Sequence, residues 1–196
     1  KRAETALRAS EAFLDSIIAQ SPLPIVVYDT AGAIVRINRA TRDLFRVTDE
    51  EALSRYNLFR DEQLRVLGYL PLLERVFRAG ETVRFQSRYD PVRAQFPAQS
   101  RSAFYLDLDS TTFPIRDADG RITHVGSYHL DVTDRKAAET RLRYHLELEQ
   151  AVAEISALMI KPGWENFDTR VNWILERIGR LTQVDRSYLF AVAPDG

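Results

Sequence analysis

The chain of 196 residues contains no cysteine, one methionine and three histidines. Without cysteine there are no disulfides, no thiolate nucleophile, no thiolate metal site and no cysteinyl flavin photochemistry. Three histidines leave little for a metal centre. No run approaches the ~18 apolar residues of a membrane span, and the opening Lys1-Arg2-Ala3-Glu4 leads into no apolar signal segment. Charge of one sign is also missing: 27 Lys and Arg stand against 28 Asp and Glu, a net charge of −1. No bulk field therefore holds nucleic acid or an anionic membrane. What is present is a 45% hydrophobic fraction, enough to build a buried core without staples. This composition predicts a soluble, cytoplasmic piece of one domain with a remainder, or two small domains.

Ala3, Ala6, Leu7, Phe13, Leu14, Ile17 and Ile18 recur at three-and-four spacing, which predicts an amphipathic helix over residues 1–20, stopped by Ser21-Pro22. Ile25-Val26-Val27-Tyr28 and Ile34-Val35-Arg36-Ile37 flank a turn at Asp29-Thr30-Ala31-Gly32, a β-hairpin. Asn38 can cap one short helix and Thr48 another, with Glu51 three residues on. Residues 61–79 read as one helix closed by Gly80. Val83, Phe85 and Tyr89 then alternate with Arg84, Gln86 and Arg88, the period of a half-buried strand; residues 90–102 read as a loop. Two further strands are expected, Phe104 to Pro114 and Ile122 to Val132, on either side of a turn at Asp117-Ala118-Asp119-Gly120. The order predicts an α+β fold: a five-stranded antiparallel sheet with short helices on one face, flanked by an N-terminal amphipathic helix and a long C-terminal helix.

A charged helix is expected over residues 135–160, capped by Thr133 or Asp134, with Leu148, Val152, Ile155 and Met159 spaced as a coiled-coil seam. Ala138, Leu142 and Leu146 run on another phase, so either the coil stutters or a new domain's first helix opens near Glu147. Beyond Lys161-Pro162-Gly163, residues 161–196 read as a further helix and a strand from Ser187 to Val192 with no partner strand. Lys1 to Arg8 and Lys136 to Arg143 agree at six of eight positions. That repeat reads either as shared helix-rich composition or as two inter-domain linker helices in a serial array.

Several strings within residues 21–134 together resemble the PAS sensory domain: Pro24-Ile25-Val26-Val27-Tyr28-Asp29 with Gly32 and Asn38, Phe113-Pro114-Ile115-Arg116-Asp117-Ala118-Asp119-Gly120, and Asp131-Val132-Thr133-Asp134-Arg135-Lys136. The last is similar to the ending that launches the signalling helix of such domains. Tyr56-Asn57-Leu58-Phe59-Arg60-Asp61, Leu72-Leu73-Glu74-Arg75, Gly80-Glu81 and Tyr89-Asp90-Pro91 resemble one bacterial subgroup. Residues 147–196 resemble the opening of a GAF domain, most of whose sheet is missing.

Strand alternation, with the burial cost of unpaired carboxylates, turns Asp107 and Asp109 to solvent and Leu106, Leu108, Ser110 and Thr112 inward. The resemblance turns Tyr28 and His129 inward as well, and implies a ligand pocket contributed by Tyr28, Tyr56, Asn57, Phe59, Phe85, Tyr89, Leu108, Ser110, Thr112 and His129. Each polar member has a second reading: His129 as a bonded core residue, Ser110 and Thr112 as backbone partners, Tyr28 and Tyr89 as core aromatics, Asn57 as a turn or cap. Leu58 stands where blue-light relatives carry the reactive cysteine, so a flavin adduct is excluded. The haem mode with a histidine before the third strand is not expected, since Leu64 to Ala79 has none. A non-covalent flavin or another small organic ligand remains open. His124 and His129 should point to opposite faces, so no metal is expected.

The resemblance implies a non-catalytic sensor of a bacterial signalling protein, most often a histidine kinase, which relays its state through Asp131, Thr133 and Asp134 into a helix-paired homodimer. The dimer would form along Phe13, Leu14, Ile17 and Ile18 and along Leu148, Val152, Ile155 and Met159. A ligand-free dimerisation scaffold of a diguanylate cyclase or transcription regulator is the alternative. Paired carboxylates at Asp107 and Asp109 would be the one enzymatic reading, and an open strand face gives them no water exclusion.

Overall fold

A computed structural model describes residues 2–90, 105–160 and 167–182, together with Val184 and Tyr188. The chain divides into two units, Lys1–Asp134 and Arg135–Gly196. In the first, helix α1 (Arg2–Gln20) precedes the hairpin of β1 (Ile25–Asp29) and β2 (Ile34–Ile37). Four short helices follow, α2 (Arg39–Phe45), α3 (Asp49–Arg55), α4 (Glu62–Val66) and α5 (Leu70–Ala79), with a single 3-10 turn at Leu58–Arg60. Strands β3 (Val83–Tyr89), β4 (Leu106–Arg116) and β5 (Ile122–Asp131) complete an antiparallel sheet in the order β2-β1-β5-β4-β3. The first strand thus lies beside the last, and β5 runs through the centre.

Residues directly opposite one another in neighbouring strands share a face, so the register assembles the inner surface row by row. Val83, Thr112, Ser127, Val26 and Ile37 form one row across all five strands. Phe85, Ser110 and His129 form the next, and Ser87 with Leu108 a third. Against these rows the helices bury Phe45, Val47, Ala52, Leu58, Leu64, Leu73 and Val76.

Asn38 joins the parts. Buried at the N-cap of α2, its Oδ1 accepts from the amides of Ile25 and Thr41, and its Nδ2 donates to the carbonyls of Ile18, Ser21 and Leu23. One amide side chain thereby ties the end of α1 to both β1 and α2. The turn after β1 is as constrained: Gly32 holds φ +82°, and a Cβ there would come within 2.6 Å of the Phe59 ring.

The structure corrects three expectations. Residues 61–79 are two helices, because Asp61 caps α4 through the amides of Gln63 and Leu64, Gly68 takes φ +77°, and Pro71 sits in the first turn of α5. The fourth strand begins at Leu106, with Tyr105 outside it. Asp109 does not face water, because Arg84 covers it. The loop expected at 90–102 falls beyond Asp90 in undescribed residues.

In the second unit, α6 (Thr133–Ile160) runs on from the first unit, and α7 (Phe167–Thr182) follows. Ala151 is buried, and Arg177 of α7 donates to Glu154 of α6 at 2.8 Å. Of the expected strand from Ser187 to Val192, only Tyr188 is described, and it is not in a strand. The GAF-like sheet piece thus lies outside the described residues.

Candidate ligand cavity

Between the inner rows of the sheet and α2–α5 lies a cavity of ≈ 50 Å³. Its wall is largely aliphatic and aromatic: Val26, Ile34, Ile37, Phe45, Val47, Ala52, Leu58, Leu64, Leu73, Phe85 and Leu108. Polar groups enter from the strands, from Thr41 of α2 and from three tyrosines.

Tyr56 and Tyr89 donate their hydroxyls to one oxygen of Asp61, at 2.8 and 2.6 Å. The other oxygen accepts the two α4 amides, so four donors converge on a carboxylate that is 1% exposed. Tyr28 lies close enough to feel this charge. Burial first, and the Asp61 charge in addition, push the phenols of Tyr28, Tyr56 and Tyr89 well above the ordinary tyrosine range. All three therefore stay protonated donors at any physiological pH. Tyr28 is 4% exposed, yet its hydroxyl has no hydrogen-bond partner among the described residues. Ser87, also buried, is in the same position. Among the described residues no sealed side-chain polar atom lacks a partner, so both hydroxyls face the open space of the cavity.

At the β4–β5 side, Ser110 Oγ and His129 Nδ1 stand 2.9 Å apart, and Thr112 Oγ1 bonds Ser127 Oγ. The Phe45 ring meets His129 edge-on at 5.4 Å. Burial pushes the imidazole down to about 4, so it is neutral at pH 7. His124, on the same strand, is exposed.

Of the ten residues expected at the pocket, Tyr28, Tyr56, Phe85, Tyr89, Leu108, Ser110, Thr112 and His129 line the cavity. Asn57 and Phe59 do not. Asn57 caps the 3-10 turn through the Phe59 amide and donates to the Ala31 carbonyl, the turn-and-cap alternative. Phe59 packs on Phe77 with ring centroids 4.8 Å apart, beside Gly32. Three polar members of the wall were missed, Ser87, Thr41 and Ser127, and so was Asp61, which stands behind Tyr56 and Tyr89. Ser87 and Ser127 continue the alternation of Phe85–Tyr89 and Val125–His129, so that signal was available. Asp61 carried a helix-cap signal but none for its tyrosines, 5 and 28 residues away.

A flavin does not fit these residues, since pockets for such ligands span about 300–1,000 Å³ and this cavity is ≈ 50 Å³. Haem is excluded on the same ground.

On the other face, Asp109 is 3% exposed because the Arg84 guanidinium grips both its oxygens at 2.7 and 2.6 Å and Gln86 adds a third bond. Asp107 and Asp109 are therefore not a pair of open carboxylates. Asp107 instead bonds the strand to the helix that follows: its amide donates to Thr133 Oγ1 and its carbonyl accepts from Val132. Asp131 Oδ1 in turn accepts the amide and hydroxyl of Thr133. The cap expected of Thr133 or Asp134 is thus supplied by Asp131, with Asp134 exposed in the first turn of α6.

This sheet order, with the helices and the cavity on one side of it, defines the PAS fold. A family profile described as PAS fold matches residues 18–137, and the chain belongs to that family. Solved structures agree at the level of the fold. An RNA-binding light-oxygen-voltage receptor superposes with a TM-score of 0.51 at 20% identity, over 68% of this chain and 36% of its own. The chain thus spans about a third of that receptor. The PAS domain of an HTR-like protein from Haloarcula marismortui superposes with a TM-score of 0.50 at 17% identity, over 66% of this chain and 98% of its own. A domain of a sensory box histidine kinase/response regulator from Geobacter sulfurreducens follows at 0.48 and 14%, over 64% and 96%. No curated protein sequence matches. Among the described residues no helix is long and apolar enough to cross a membrane.

Proposed function

We propose that this chain is a non-catalytic sensory module of a cytoplasmic bacterial signalling protein, of which a histidine kinase is the foremost parent, acting as a homodimer whose output lies in another domain. A small molecule in the cavity shifts β4 and β5, and the shift passes through the Asp131–Thr133 clamp into α6. The observation that carries this reading is shared strands: Ser110 and His129 at the cavity lie on the strands that supply Asp107 and Asp131 to the clamp. A ligand acts only through its different affinity for two arrangements, and the clamp provides a place for those arrangements to differ.

The small cavity favours a second reading, a ligand-free dimerisation scaffold of a diguanylate cyclase or transcription regulator. Both readings use exposed apolar stripes, Phe13, Leu14 and Ile17 on α1 and Leu148, Val152 and Met159 on α6. Ile18 and Ile155 are half-buried within their own units.

Ala52→Leu, which fills the cavity from the α3 wall, separates the two. Under the sensing reading, hydrogen exchange at the Asp107 and Thr133 amides changes by several-fold although neither residue lines the cavity. Unchanged exchange there, in a folded variant, overturns the relay.

A further inference from the structure

Charge and size at the cavity limit what it can hold, an inference that rests on the sensing reading above. Among the described residues no Lys or Arg lines the wall, and the imidazole of His129 is neutral at pH 7. Behind Tyr56 and Tyr89 stands Asp61, a buried negative charge held by hydrogen-bond donors alone. Among the described residues the donors that remain free at the wall are the hydroxyls of Tyr28 and Ser87, both more than nine-tenths buried and open to the cavity.

We infer that the cavity selects small uncharged molecules carrying one hydroxyl or carbonyl group on a short apolar body, and rejects anions. An anion entering here loses its hydration, meets no cationic side chain among the described residues, and faces the charge of Asp61 behind Tyr56 and Tyr89. A neutral oxygen meets none of these obstacles. It can accept from Tyr28 while its hydrocarbon part lies against Val26, Leu58 and Leu108, and a hydroxyl ligand can also donate to Ser87. Size sets the upper limit. A water needs about 10–15 Å³ of such space, so ≈ 50 Å³ admits a body of a few heavy atoms, the scale of a short-chain alcohol, aldehyde or ketone. Phosphate-bearing cofactors and dicarboxylates are excluded twice, by volume and by sign.

The test uses the whole chain, 13C-labelled at methyl groups, titrated with 1-propanol and with propionate at pH 7. The expected result is saturable movement of the Ala52, Leu58 and Leu108 methyls with millimolar 1-propanol, and none with propionate at ten times that concentration. Tyr28→Phe should fold normally, because its hydroxyl has no partner to lose among the described residues, and should weaken 1-propanol binding at least fivefold. Propionate binding as tightly as 1-propanol overturns the charge selection while leaving the cavity a ligand site. No saturable response to 1-propanol overturns the inference outright, while the Ala52→Leu exchange experiment still judges the relay on its own. Equal 1-propanol affinity in Tyr28→Phe overturns the role given to that hydroxyl.

Discussion

The two faces of the sheet each bury a carboxylate, and they neutralise it by different means. On the outer face Asp109 is clasped by the forked guanidinium of Arg84, whose own side chain is 68% exposed. On the cavity face Asp61 pairs with no cation among the described residues and is satisfied by two phenols and two helix amides. The first arrangement cancels its charge locally. The second satisfies every lone pair but leaves a net negative charge beside an internal void, so the same residue type is a strand cross-link in one place and a filter on ligands in the other.

The comparison is broken most sharply by truncating both. Asp61→Ala removes an N-cap and strands two buried hydroxyls, each costing about 1–3 kcal/mol, so a loss of about 3–5 kcal/mol is expected. Asp109→Ala leaves behind an arginine that can turn into water, and less than half that loss is expected. Urea unfolding of both variants ranks them. Equal losses, or a larger one at position 109, would remove the distinction drawn between the two faces.

Acid sharpens the same comparison on the cavity side. His129 is held down to about 4 from an ordinary 6.5 by burial, so on acidification the unfolded chain takes up its proton before the folded one does. The stability this lends is complete above pH 6.5 and is lost progressively as the pH falls toward 4, with a ceiling of roughly 3 kcal/mol. His129→Gln keeps a hydrogen-bonding group for Ser110 and cannot titrate. Its unfolding midpoint should therefore fall less than the wild type's between pH 7 and pH 5. Parallel curves would show that the imidazole is not shielded as its position implies.

These carboxylates also mark where the sequence was readable and where it was not. Alternation, with the cost of burying carboxylates, was enough to turn Leu108, Ser110 and Thr112 toward the cavity, because a strand's period is a local property, whereas the inward side of β1 at Tyr28 came from the family resemblance. Alternation put Asp109 on the correct face too. The error was to equate that face with water, since the cost of burying a carboxylate was assessed without Arg84, 25 residues earlier in the chain. Register decides such a pairing, and register is set by the whole sheet. Asp61 was harder still: its cap is written in the next three residues, but its phenols arrive from the end of α3 and the end of β3. The break between α4 and α5 was the reverse case, legible at Gly68 and Pro71 and overridden by the leucine spacing around them.

The smallest effect on folding is expected at the helices, and there it tests assembly. Phe13 and Ile17 are 66% and 50% exposed on α1, and Val152 and Met159 are 55% and 69% exposed on α6. Surface substitutions away from packed features shift stability by about 0.5 kcal/mol or less. Phe13→Glu with Ile17→Glu, or Val152→Glu with Met159→Glu, should therefore leave the monomer's unfolding nearly unchanged. If the stripes join two copies, each pair lowers the mass measured by light scattering at micromolar concentration from dimer toward monomer. A wild-type chain that is already monomeric, or a dimer that survives both pairs of charges, would mean that these stripes do not join copies of the chain. The signal passed through the Thr133 clamp would then need a route other than helix pairing between copies.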